Sequence, residues 1–279
     1  MKLLTLNVHA LQEENYLQKL DWFVEGILQE KPDIIALQEV NQSCDGELAE
    51  KGLWEGQFLL PARVPLRQDN HAAQVAYRLR QRGIDCHWAW FPIKLGYGKF
   101  EEGISLLSLG RKILEKDLCY ISRTQDHHNW RTRAVLGIRV EGMSDWFYSA
   151  HTGWWEDGQD PFQEQWERLE DHLLEKRKKE RLWLMGDFNA PDTVLGESYT
   201  HVLSKGWMDT YNMAQKKDNG ITVCGTIDGW RDKEPTGMRL DYIFCNQEAD
   251  VESSQVIFND RNRPVVSDHF GVMIQTKEK

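Results

Sequence analysis

The sequence predicts an α/β fold: two mixed, mainly antiparallel β-sheets packed face to face with helices outside, a four-layer sandwich. Three observations predict it. Strand-like apolar runs recur along the whole chain. Helical stretches with one apolar face occur in both halves, so each of two sheets has its own cover. No linker, repeat or low-complexity tract interrupts the 279 residues, and 1–279 therefore reads as a single domain.

Residues 2–7 form the first expected strand. Leu17, Leu20, Phe23, Val24, Ile27 and Leu28 then share one stripe over 15–30, which is helical spacing. Pro32-Asp33 breaks that helix, and 34–39 reads as a buried strand. A polar loop fills 41–68, and a helix over 70–82 stops at Gly83. Strands are expected near 85–91, 103–109, 112–123, 133–140 and 145–151. Asp160 reads as an N-cap with Pro161 at the first helical position. The helix behind it carries Phe162, Trp166, Leu169 and Leu173 as core residues. It ends in Arg177-Lys178-Lys179-Glu180-Arg181, cations suited to the C-terminal end of a helix dipole. Strand 181–186, a short helix near 192–204 and strands near 221–226, 241–246 and 254–258 complete the chain.

The net charge of −10 argues against long polyanions as partners, since backbone binding of nucleic acid calls for a basic face. Cys44, Cys86, Cys119, Cys224 and Cys245 are scattered, odd in number and free of any C-x-x-C spacing. They read as free thiols in a reducing cytosol, neither a disulfide frame nor a zinc site. No signal peptide is expected, because the first apolar run breaks at Asn7 and His9. No run of 18 apolar residues suggests a membrane span, and no obligate protein partner is evident.

The most informative stretch is Arg181-Leu182-Trp183-Leu184-Met185-Gly186-Asp187-Phe188-Asn189. A buried strand ends in Gly and then presents Asp187 and Asn189 on one side of the chain, because side chains repeat with period two. An Asx turn at a strand end would look the same. Three other apolar strands also end in polar, chemistry-bearing residues. They are Leu3-Leu4-Thr5-Leu6-Asn7, Ile34-Ile35-Ala36-Leu37-Gln38-Glu39 and Trp146-Phe147-Tyr148-Ser149-Ala150-His151. A further strand begins with Asp241, and the chain closes on Val265-Val266-Ser267-Asp268-His269-Phe270. His127-His128 reads as loop, and Asp209 as a structural hydrogen-bonding residue.

The order of these motifs (Asn in the first strand, Leu-Gln-Glu-Val, His after a strand, Gly-Asp-Phe-Asn, Leu-Asp-Tyr-Ile, Ser-Asp-His) resembles the endonuclease/exonuclease/phosphatase superfamily across nearly the whole chain. That superfamily includes pancreatic deoxyribonuclease, apurinic endonucleases, inositol-polyphosphate phosphatases and neutral sphingomyelinases. Within it the chain is most similar to bacterial phosphatases of the maltose 6'-phosphate phosphatase type. The resemblance implies Mg²⁺, with Mn²⁺ able to replace it, held by Glu39, Asn7 and Asp268. It implies that Asp187 activates the attacking water and that Asn189 stabilises the phosphate. His269 would contact the scissile phosphate with Asp241 as its carboxylate partner. His151 would stand near the leaving group, with Glu102 as its partner.

The chemistry is coherent on its own terms. Phosphate ester hydrolysis needs a water nucleophile, neutralised equatorial charge and a proton for the leaving oxygen. Mg²⁺ takes oxygen ligands and keeps several waters, so few protein ligands suffice. The flanks Gly153-Trp154-Trp155-Glu156-Asp157 and Asp228-Gly229-Trp230-Arg231-Asp232 place indoles beside carboxylates. Trp154, Trp155 and Trp230 suit a sugar ring, and the acids would repel a phosphate backbone. Arg131 and Arg133 could bind phosphate or equally face solvent, and Arg131 is the candidate substrate ligand of the two. The expected substrate is therefore a small phosphorylated sugar. The alternative is a nuclease or other phosphodiesterase acting on DNA, RNA or a phospholipid headgroup, and a non-catalytic scaffold is a third reading.

Overall fold

A computed structural model describes residues 1–61, 63–225 and 237–277. The strands are β1 (Lys2–Asn7), β2 (Ile34–Ser43), β3 (Cys86–Gly96), β4 (Phe100–Leu109), β5 (Ile113–Tyr120), β6 (Ala134–Val140), β7 (Trp146–His151), β8 (Leu182–Asp187), β9 (Met208–Asp209), β10 (Lys216–Lys217), β11 (Asp241–Cys245), β12 (Val251–Ile257) and β13 (Gly271–Thr276). The helices are α1 (Tyr16–Glu30), α2 (His71–Gln81), α3 (Phe162–Arg177), α4 (Ser198–Ser204) and α5 (Thr210–Met213). One sheet has the order β10-β12-β13-β1-β2-β4-β3, the other β5-β6-β7-β8-β11-β9. Both mix parallel and antiparallel pairs, and the two-sheet α/β sandwich is as expected from the sequence.

Strand alternation sorts the side chains into layers. On β1 and β2, Leu4, Leu6, Ile35 and Leu37 pack outward with Leu20, Phe23 and Ile27 of α1 and Val75 and Leu79 of α2. Leu3, Ile34 and Ala36 point inward and meet Phe147, Trp183, Met185 and Ile243 from the second sheet. Leu182 and Leu184 face outward to Phe162, Trp166 and Leu169 of α3. Both faces of the central strands are therefore apolar. Each fully buried Leu, Ile or Phe contributes about 1.5–3 kcal/mol of transfer free energy.

The inward rows turn polar at one end. Asn7 continues the row Leu3–Thr5, Gln38 the row Ile34–Ala36, and Asp187 the row Trp183–Met185. Ser149 and His151 continue from Phe147. Hydrogen bonds cross the inter-sheet space here: Gln38 Nε2 donates to Ser149 Oγ at 3.0 Å, and Ser149 Oγ donates to the Leu37 carbonyl at 3.0 Å. Thr5 Oγ1 donates to Gln38 Oε1 at 3.3 Å.

Several boundaries differ from expectation. β2 runs on to Ser43, and β3 and β4 are longer, because their extensions pair with each other beyond the core. No strand covers 221–225; Val223 makes only isolated bridges to Met238 and His269. β13, which pairs with β1 and β12, has no counterpart among the expected strands. Helix α4 begins at Ser198. Pro161, not Asp160, caps α3; the Asp160 carboxylate instead accepts from Arg168 and from the Arg123 amide.

Gly186 lies between β7 and β11. Its φ is +155°, and a Cβ there would stand 1.9 Å from the Ala150 carbonyl oxygen of β7. Any side chain must force β7 and β8 apart. Gly186→Ala is therefore expected to cost at least about 1–3 kcal/mol, the usual penalty for overpacking. A urea midpoint equal to wild type would contradict this contact.

Candidate active site

Strand register assembles the site. His151 pairs with Asp187 across β7 and β8, and Asp187 pairs with Asp241 across β8 and β11. Three site residues thus form one lateral row on the inner face. Asn7 crosses from the first sheet, its Nδ2 lying 2.9 Å from Glu39 Oε1 and 3.0 Å from Asp187 Oδ2. Glu39 should point outward by alternation from Gln38. A β-bulge between Leu37 and Val40 puts Glu39 at φ +52°, and this turns its carboxylate back to Asn7.

Asp187 Oδ1 accepts from the Asn189 amide at 2.9 Å, an Asx turn that also holds Asn189 at φ +46°. Asn189 Nδ2 donates to the Thr152 carbonyl at 3.0 Å and lies 3.4 Å from His151 Nε2. His269 Nδ1 is 2.9 Å from Asp241 Oδ2, and its Nε2 is 3.8 Å from Asp187 Oδ2. Asp268 lies on the solvent side, where His9 Nδ1 is 3.8 Å from its Oδ1. A pocket of about 290 Å³ joins His9, Glu39, His151, Asp187, Asn189, Asp268 and His269 with Lys94, Tyr97, Glu102, Trp130, Arg133 and Trp154.

The two histidines have opposite charge preferences. Burial would lower His269, but Asp241 and Asp187 raise it well above the usual imidazole range. Burial and the cations Arg133, Lys94 and His269 push His151 well below that range. Burial also raises Asp187 to about 6, with Asp241 adding to the effect and His269 opposing it. Burial, helped by Glu102 and Asp268, raises Glu39 to about 7.

Of the sequence-predicted residues, the structure brings together Asn7, Glu39, Asp187, Asn189, His151, Asp241, Asp268 and His269. Glu102 reaches the same pocket, but its ion-pair partner is Lys94 at 3.1 Å, whereas His151 has Asn189 and Asp187 beside it. Arg131 is not a phosphate ligand at rest: its Nε donates to both Asp157 oxygens at 3.0 and 2.9 Å, and it stacks 4.1 Å above Trp130. Trp155 packs on Phe162 and His201, away from the pocket, whereas Trp154 lines it. Trp230 lies outside the described residues. His127 pairs with Glu101, and Asp209 caps α5 and pairs with Arg239, both structural roles.

Sequence reasoning did not assign His9, Lys94, Tyr97 or Trp130, which lie in the pocket wall. His9 was visible as the second polar residue after Asn7. Nothing local marked Lys94, which reaches the site through a register shift between Pro92 and Lys94.

The oxygen-rich set Glu39, Asn7 and Asp268 suits a hard divalent cation. Glu39 is raised in part by its own carboxylate neighbours, the condition a bound cation would relieve. A second group, Asp187, Asp241 and His269, offers ligand atoms within 4.8 Å of one another.

Glu39 and Asp187 hold protons in the folded protein at pH values where the unfolded chain has lost them. The folded values, about 7 and about 6, exceed the ordinary 4.5 and 3.8. Their stabilising contribution is thus full below the ordinary values and is lost as pH rises through the folded ones. In cation-free buffer, wild type is expected to lose thermal stability relative to Glu39→Gln as pH rises from about 4.5 to 7. Parallel melting profiles for the two proteins would show that Glu39 is not raised.

The model of the Endonuclease/Exonuclease/phosphatase family matches residues 4–269. An endonuclease/exonuclease/phosphatase family protein from Leptotrichia buccalis is 33% identical over 100% of both chains, with a TM-score of 0.84. A mannosyl-6-phosphatase from Bacteroides thetaiotaomicron (17% identity, TM-score 0.65) and a 3' phosphatase from Neisseria bound to product DNA hairpin (16%, 0.63) each share the fold over 100% of both chains. Comparison with curated proteins finds no match. Members of the family hydrolyse phosphoester bonds and generally use divalent metals. By its motifs, sheet topology and site, the chain belongs to the endonuclease/exonuclease/phosphatase family of phosphoester hydrolases.

Proposed function

We propose that the chain is a Mg²⁺-dependent phosphatase acting on a phosphomonoester of a small sugar, of the maltose 6'-phosphate kind. The observation that carries this is the mouth of the pocket. Trp130 and Trp154 lie there with ring centroids 6.0 Å apart. Trp130 is half exposed, and Trp154 lines the pocket beside it. The volume of about 290 Å³ is at the small end of ligand pockets, room for one phosphorylated ring with the remainder against the indoles. The net charge of −10 supports a small substrate over nucleic acid. Five unpaired cysteines support a cytoplasmic setting.

The proposed roles follow from charge state. Asp187, at about 6, is ionised at neutral pH and basic enough to take a proton from the attacking water. Asn189 donates toward the phosphoryl group. His269, kept cationic by Asp241, hydrogen-bonds a non-bridging oxygen as charge develops. His151 is neutral at rest and positions the leaving oxygen; it gains a proton only when an anion offsets Arg133 and Lys94. Mg²⁺ on Glu39, Asn7 and Asp268 would neutralise phosphate charge.

Exhaustive chelation is expected to abolish hydrolysis, and Mg²⁺ or Mn²⁺ to restore it; full activity in excess chelator would refute the metal requirement. His269→Ala and Asp187→Asn are each expected to lower kcat about 10²–10⁴-fold with a smaller change in KM. A loss of only tenfold or less in either would remove that residue from its assigned role.

Trp154→Ala is expected to raise KM for a sugar phosphate several-fold to about tenfold, from a stack worth ~1 kcal/mol or slightly more. p-Nitrophenyl phosphate should change little. Release of phosphate from a panel of sugar phosphates, set against plasmid nicking, decides the substrate class. Efficient nicking with no phosphate release would favour the nuclease alternative.

A further inference from the structure

The pocket contains two cations, Lys94 and Arg133, to which the roles above give no contact with substrate. Lys94 is held by Glu102 at 3.1 Å, and both side chains are nearly closed to solvent. They face each other across β3 and β4 because the register shift after Pro92 sets Lys94 opposite Glu102. Gly96 makes space for this pair, since a Cβ there would stand 2.6 Å from Glu102 Oε2. Arg133 is 3% exposed. Its Nη1 donates to the Trp130 and Thr132 carbonyls, and its buried Nε has no partner. Both cations line the same pocket as Asp187, His151 and Asn189.

Two like charges in one desolvated wall oppose each other. Burial lowers both groups and Arg133 lowers Lys94 further, while Glu102 and Glu39 act in the opposite sense on both. Glu102 is the carboxylate that pairs directly with this wall, and an ion pair leaves other Lys94 donors unfilled. An anion with two charges and several oxygens satisfies such a wall better than one with a single charge.

We propose that Lys94 and Arg133 form an anion subsite that receives the second negative charge of a phosphomonoester and so sets a preference for monoesters over diesters. This deepens the phosphatase assignment and rests on it. Glu102 acts as a positioning residue that keeps Lys94 extended into the pocket. A diester carries one charge on its phosphoryl oxygens and places a second ester group where Lys94 and Arg133 would meet an oxyanion.

The test uses the full chain and two probes that are not turned over as monoesters: methylphosphonate, a dianion at pH 8, and dimethyl phosphate, a monoanion. Binding is measured by calorimetry on wild type, Lys94→Met and Arg133→Lys, each first checked for a cooperative melt. Wild type is expected to prefer the dianion about ten- to a hundred-fold, the scale of one charge-assisted hydrogen bond. Lys94→Met should remove most of that preference, and kcat/KM for a sugar phosphate should fall more than that for bis-p-nitrophenyl phosphate. No preference in wild type, or a preference surviving in both variants, would overturn the subsite. A preference that Lys94→Met removes in an enzyme that cleaves only diesters would keep the subsite and overturn the phosphatase assignment.

Discussion

The site depends on hydrogen bonds that cross between two sheets. Apolar packing alone would let the sheets slide over one another, because it is non-directional. The bonds from Gln38 to Ser149, Ser149 to the Leu37 carbonyl and Asn7 to Asp187 are directional and buried, so a slip would leave their partners unsatisfied. They fix the relative position of the sheets at the end where the chemistry resides. Asn7 has a double part: its amide donates to both Glu39 and Asp187 and so ties the two carboxylates together.

The same low-dielectric row separates charge states that an exposed site would leave mixed. Two imidazoles and two carboxylates crowd within one pocket wall. His269 has two carboxylates beside it and stays cationic; His151 has cations around it and stays neutral. Burial acts on both, and the neighbours decide the outcome.

Much of this was legible in the sequence. Alternation put Asn7, Asp187 and His151 at the ends of inward rows, and the motif order supplied Asp241 and His269. Glu39 is the instructive case, since period two alone points it outward and only the bulge returns it. Lys94 and Trp130 could not be read because they reach the site through register and loop geometry, which local patterns do not encode. Trp154 and Trp155 are adjacent in sequence yet part ways, one to the pocket and one to the helical layer. Arg131 looked like a free cation until the fold brought Asp157 against it. The irregular chain around Val223 resembled a strand in composition, but it makes only isolated bridges. β13 closed the first sheet unseen, behind the last motif.

The Arg131–Asp157 contact has a consequence for the pocket wall. It ties the loop bearing Trp130 to the loop bearing Trp154, and the Arg131 guanidinium also sits over the Trp130 ring. The two indoles are therefore one mechanical part, clipped together beside the row of strand ends. Altering one loop drags the other with it. Breaking the Arg131–Asp157 pair would therefore loosen both indoles of the pocket wall at once.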